Sequence, residues 1–148
     1  MRPQFLAAFA MTLLSASVFS VARADDSSSY VEGTVTEVTA IRIKPGKFDA
    51  YMKWLDTTGK QLREDEKKAG IIVDYAVFQS LPRDAHDADV ILTVTYKNMA
   101  AFDELQARTD PAVKEIFGSL PKAASASADR EKLRKQLGSQ LVRQLVLK

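Results

Sequence analysis

Arg42, Asp74, Thr93 and Thr95 are the residues whose types could do chemistry together. Each lies on the more polar side of a segment that alternates like a β-strand, so one sheet face could gather them. A half-buried carboxylate beside a guanidinium suits proton abstraction. Burial raises the carboxyl pKa, and the guanidinium holds the anionic or enolate oxygen that results. Asp74 would be the base and Arg42 the oxyanion partner. Phe78, Thr93 and Thr95 would complete a ligand-binding wall, with Arg143 or Gln144 beside them, since a few convergent polar groups in an apolar pocket make a small-molecule site. The competing reading is an Arg42–Asp74 ion pair that fixes the register of an interface. It is preferred, because lone carboxylates and guanidiniums are common at interfaces.

Pro82 to Asp89 gathers Asp84, His86, Asp87 and Asp89, types that suit a hard or borderline divalent cation. Their spacing matches no defined metal loop, so a solvated acidic turn is the expectation and no metal is assigned. Trp54 and the tyrosines Tyr30, Tyr51, Tyr75 and Tyr96 read as packing, interface or cavity-lining aromatics. The sequence contains no Gly-rich phosphate loop, G-x-S-x-G elbow or H-E-x-x-H pair, and no cofactor is expected. With no cysteine, thiol catalysis, Cys-ligated zinc and iron–sulfur clusters are excluded.

The elements that must position these residues are organised around Thr36 to Gly70. Gly33 to Lys44 is β-branched and alternating, which predicts a strand with Ile41 and Ile43 on one face. Thr36, Val38, Ala40 and Arg42 share the other. The Pro45-Gly46 turn ends it, and an amphipathic helix from Lys47 to Ala69 follows, capped by Gly70. Gly59, in that helix's apolar face, should allow close approach to a sheet. Strands are expected over Ile71–Leu81 and Val90–Lys97. Helical segments are expected from Asn98, again from Asp110 with Pro111 in its first turn, and over Asp129–Leu137, where Gly138 ends the last. Leu141 to Leu147 would be the closing strand.

The order β-α-β-β-α-β is the split βαβ arrangement, a four-stranded antiparallel sheet in the α+β class. Helices cover one face only. The other would expose Val38, Ala40, Ile72, Ala76, Phe78 and Ile91, and the same face of a second copy is the simplest cover, so a homodimer is expected.

Residues 1–24 fit a secretory signal peptide, with Arg2 at the start, an apolar run from Phe5 to Val21 and Ala22-Arg23-Ala24 as cleavage site. A periplasmic or secreted location follows, with no membrane association after cleavage. Residues 25–32 would form a flexible leader and 33–148 a single domain. The chain has 21 basic and 19 acidic side chains. The first 24 residues hold two of the basic ones, so 21 − 2 = 19 basic against 19 acidic remain after cleavage. That balance argues against nucleic acid as a partner.

The runs I-R-I-K-P-G-K-F-D-A-Y, V-I-L-T-V-T-Y-K-N-M-A-A-F and T-D-P-A-V-K-E-I-F resemble the dimeric α+β barrel superfamily. K-P-G-K-F-D-A-Y is most similar to its NIPSNAP-type branch. The resemblance spans about Val38 to Leu147 and rests on structural motifs. It implies a ferredoxin-like protomer, two sheets facing each other to form a barrel, and a cavity on the mixed face. Superfamily members include cofactor-free monooxygenases, haem-degrading enzymes and lyases, and fold likeness does not choose among them. The haem-degrading members use an Asn, a Trp and a His at particular positions. Here Trp54 and His86 are the sole residues of their types and fall in a helix and a loop, so that activity is not carried over. The expected function is binding of a small, mainly apolar ligand in the barrel. The alternatives are a cofactor-free oxygenase or isomerase built on Asp74 and Arg42, and a purely structural dimer with a filled interior.

Overall fold

The computed structural model describes residues 28–148 except Ala85, so the expected signal peptide and the start of the expected leader lie outside the described residues. Ten segments of regular structure follow in order. They are β1 (Tyr30–Ile43), α1 (Phe48–Trp54), a π-helical segment (Leu55–Gly59), α2 (Lys60–Lys68), β2 (Asp74–Gln79), β3 (Val90–Tyr96), a 3₁₀ turn (Met99–Phe102), α3 (Leu105–Phe117), α4 (Leu120–Arg130) and β4 (Arg134–Leu147). The strands form one sheet in the order β2-β3-β1-β4, antiparallel throughout. β1 and β2 therefore run parallel with β3 between them, which is the expected ferredoxin-like arrangement.

The strands carry the alternation that the sequence implies. Val35 and Ile41 of β1 and Val90, Val94 and Tyr96 of β3 are buried under the helices. Ile41 and Val90 pack with Tyr51 from α1, each almost wholly removed from water. Burying one such aliphatic side chain is worth about 1.5–3 kcal/mol. A second cluster joins Ile71, Ile72, Val94 and Tyr96 to Phe102 and Leu105, so the second helical layer packs on the same sheet face. Thr36, Val38, Ala40, Ile91, Thr93, Ala76 and Phe78 occupy the opposite face by register.

Five boundaries or placements differ from expectation. β1 begins at Tyr30 rather than Gly33, because Tyr30, Val31 and Glu32 pair with Leu147, Val146 and Leu145, which takes three residues from the expected leader. β2 starts at Asp74, not Ile71. The amides of Ile71 and Ile72 bond to the Glu66 carbonyl, and the turn tucks both side chains into the core. Ile72 is thus no part of the open face. Pro111 lies inside α3 rather than in a first turn. The last helix runs over Leu120–Arg130, with the Ser119 hydroxyl accepting from the Lys122 amide. Consequently β4 begins at Arg134, and Gly138 sits within a strand opposite Ala40, beside a bulge, instead of ending a helix.

Candidate functional site

Arg42 and Asp74 do not meet. Asp74 stands at the level of Thr36, through the pairs Asp74–Thr95 and Thr95–Thr36, whereas Arg42 lies six residues further along β1. At the rise of a strand that separation is roughly 20 Å. Arg42 instead serves the β2–β3 loop. Its Nε lies 3.4 Å from Asp89 Oδ2, without the geometry of a hydrogen bond, and its Nη2 donates to the Asp84 carbonyl at 3.3 Å. Asp89 is in turn fixed by the Ile43 amide at 2.6 Å.

Asp74 pairs with Lys67 of α2 at 2.9 Å and is well exposed. The hydrogen bond from Lys67, helped by the Tyr75 amide, holds its carboxyl below the ordinary aspartate value. This reverses the direction expected of a general base. It also replaces the expected Arg42–Asp74 ion pair with two separate pairs, Arg42–Asp89 and Lys67–Asp74. Phe78, Thr93 and Thr95 do share the open face with one another. The Thr95 hydroxyl lies 3.1 Å from that of Thr36, and the Thr93 hydroxyl reaches the Ala76 carbonyl at 3.5 Å. Gln144 meets Thr34 at 3.3 Å, while Arg143 pairs with Glu32 and lies opposite Val35, on the helix side of the register.

The Pro82–Asp89 loop is tied by its own groups: Asp87 accepts from the Arg83 amide and Asp84 from the His86 amide. The His86 side chain projects into solvent. Among the described residues, no group of three or more His, Asp or Glu is arranged to hold a metal.

The built cavity lies on the other side of the sheet, beneath α1, the π segment and α2. Its volume is about 270 Å³. The sheet supplies Glu37, Thr39, Ile41, Tyr75, Leu92 and Thr93, the last being the one expected ligand residue that borders it, and the helices supply Tyr51, Trp54, Leu55, Gly59 and Arg63. Arg130, Arg134 and Gln136 close one end. A π-helical segment widens a helix by one residue per turn and often marks a functional position. Here it carries Leu55 and Gly59 into the cavity wall. A Cβ placed on Gly59 would stand 3.1 Å from Trp54 Cζ3, so this glycine makes room for the indole rather than for the sheet.

The charged end is built on aromatics. The Tyr51 and Trp54 rings lie 6.1 Å apart and nearly parallel. The Arg130 guanidinium sits 4.4 Å from the Trp54 ring centre and that of Arg134 5.9 Å from the Tyr51 centre, within cation–π reach. Burial, and next the neighbouring Arg134, lower the Arg130 pKa from its usual value. Burial raises the Tyr51 phenol, against the pull of the two arginines. At the far side the Tyr75 hydroxyl donates to Glu64 Oε1 at 2.7 Å; this bond, with burial second, pushes its pKa up to about 12. Arg130 and Arg134 were not singled out by the sequence, because Asp129–Leu137 reads as a helix with no site assigned to it.

No protein-family model matches the chain, and no curated protein matches it. Among solved structures, HapK from Hahella chejuensis is 14% identical, with a TM-score of 0.52, over 74% of this chain and 91% of that one. A dimeric ferredoxin-like protein from an uncultured marine organism is 17% identical, with a TM-score of 0.48, over 80% and 98%. A NIPSNAP family protein of unknown function from Agrobacterium tumefaciens is 19% identical, with a TM-score of 0.45, over 78% and 89%. The antiparallel strand order with helices on one face defines a ferredoxin-like α+β fold, and HapK shares the chain's overall fold.

Proposed function

We propose that this protein is an exported homodimer that binds a small, mainly apolar molecule, and that each protomer holds its ligand beneath the helices. The observation that carries this reading is the cavity of about 270 Å³ walled by Ile41, Tyr51, Trp54, Leu55 and Leu92. It lies just under the range of about 300–1,000 Å³ common for drug-sized ligands, which restricts an occupant to one or two rings. Dimerisation is supported by the opposite face, where Phe78 and Val142 are 54% and 43% exposed on a surface that the chain itself does not cover. Export rests on the N-terminal charge, apolar run and A-x-A site. The open face is then interface rather than ligand wall, and Phe78 and Thr95 serve the contact between copies, while Thr93 also borders the cavity.

Isothermal titration with 1-naphthaleneacetamide, a neutral bicyclic probe, tests the cavity. One saturable site per protomer is expected, and Leu92→Trp, which fills the space, should remove it. Absence of saturable binding to the parent protein, or full binding to Leu92→Trp, contradicts the reading.

A further inference from the structure

Arg130 and Arg134 enter the cavity wall from the two sides of the turn that links α4 to β4. Four cationic side chains line the cavity, Lys60, Arg63, Arg130 and Arg134, against the single carboxylate of Glu37. They are not equally engaged. Arg63 is held by the buried Glu66 at 2.5 Å, and Glu37 accepts from the Ser139 hydroxyl at 2.8 Å. Lys60 lies at the exposed rim near Asp56.

The remaining two guanidiniums are only partly satisfied. Arg134, whose side chain is 8% exposed, reaches Glu131 at 3.4 Å and Gln136 at 3.5 Å through its terminal nitrogens. Arg130 donates from Nη2 to the Ser127 hydroxyl at 3.0 Å. The Nε–H groups of both, like that of Arg42 beside the β2–β3 loop, are buried out of reach of solvent and have no acceptor among the described residues. Buried donors are normally paired, and one left over from a charged group is costly. With Glu37 as the single carboxylate in the cavity wall, these two guanidiniums leave that end with an excess of positive charge that an anion entering the cavity would balance.

Resting on the ligand-binding reading above, we propose that the cavity takes a small aromatic carboxylate. Its two oxygens accept from Arg130 and Arg134, and its ring packs against Ile41, Leu55 and Leu92. Guanidiniums match the planar, two-oxygen geometry of a carboxylate, and hydrogen bonds to charged groups are among the strong ones. Glu37 in the wall disfavours a dianion such as a phosphate monoester. The Tyr51–Trp54 stack holds the arginine heads in place, so they are ordered before a ligand arrives.

The test compares 1-naphthaleneacetate with its neutral isostere 1-naphthaleneacetamide by isothermal titration on the dimer. The acid should bind at least about tenfold tighter, as expected for charge-assisted hydrogen bonds. Arg130→Gln should weaken the acid far more than the amide and so remove most of that preference. Arg134→Gln should act alike, and Arg130→Gln decides the matter alone if the more buried change does not fold. Equal binding of acid and amide overturns the carboxylate inference and leaves the cavity reading standing. Binding of neither overturns both. A preference for the acid that survives in Arg130→Gln also overturns the inference, because the anion would then be held elsewhere.

Discussion

Asp74 shows how a residue type can suggest one chemistry and its surroundings dictate another. Its carboxyl is held low by Lys67, and a group depressed on folding adds stability above its unfolded pKa and loses it as pH falls through the folded value. Asp74→Asn should therefore be less stable than the parent at neutral pH by a small margin, and the two should converge below about pH 4, the ordinary aspartate range. Urea midpoints measured across that range check this. Ligand affinity should not change, and loss of binding in Asp74→Asn would return it to the site. The sequence placed Arg42, Asp74, Thr93, Thr95 and Phe78 on one face correctly, because alternation assigns faces. It could not place Arg42 and Asp74 along the strands, since their distance depends on register, and register is fixed by pairing between strands far apart in sequence.

Among the elements, the helix after Pro45-Gly46 was legible from the spacing of Tyr51, Leu55 and Leu62, and its division was not. A π segment has no composition of its own; it arises where packing beneath Leu55–Gly59 demands a wider turn. Gly59 is its sensitive point. Intrinsic propensity would favour alanine there by about 1 kcal/mol, and Gly59 has ordinary helical angles. The added Cβ, however, meets the Trp54 ring at 3.1 Å. Gly59→Ala should thus leave the thermal midpoint near that of the parent, shift the emission of Trp54 and weaken the naphthalene probes several-fold. Unchanged emission would show that the indole does not depend on that space. The misassignment of 129–137 has a similar cause. Arg130, Arg134 and Gln136 carry no strand signal, and β4 starts there because β1 offers Ile43, Arg42 and Ile41 as partners. That hidden change from helix to strand also hid the two arginines at the end of the cavity.

For the whole molecule, the sheet divides the work between its faces. The helix-covered face holds the cavity, and in the proposed dimer the open face, with Phe78, Ile91, Val38 and Val142, would meet a second copy. β1 and β4 extend together as 14-residue strands, and Tyr30, Val31, Leu145, Val146 and Leu147 at their far end are exposed, which adds to the apolar surface available for that contact. The βαββαβ order and the one-sided helical cover could be read from hydrophobic periodicity. The location of the cavity could not, because it depends on how closely α1 and α2 approach Ile41 and Leu92.

Phe78→Asp tests this division most directly, by placing a charge on the open face away from the cavity. Sedimentation velocity should show the parent as a dimer and the variant as a monomer, while both bind 1-naphthaleneacetate with affinities within about threefold. A monomeric parent would remove the interface, and a monomeric variant that has lost the ligand would put the site between the copies rather than beneath the helices.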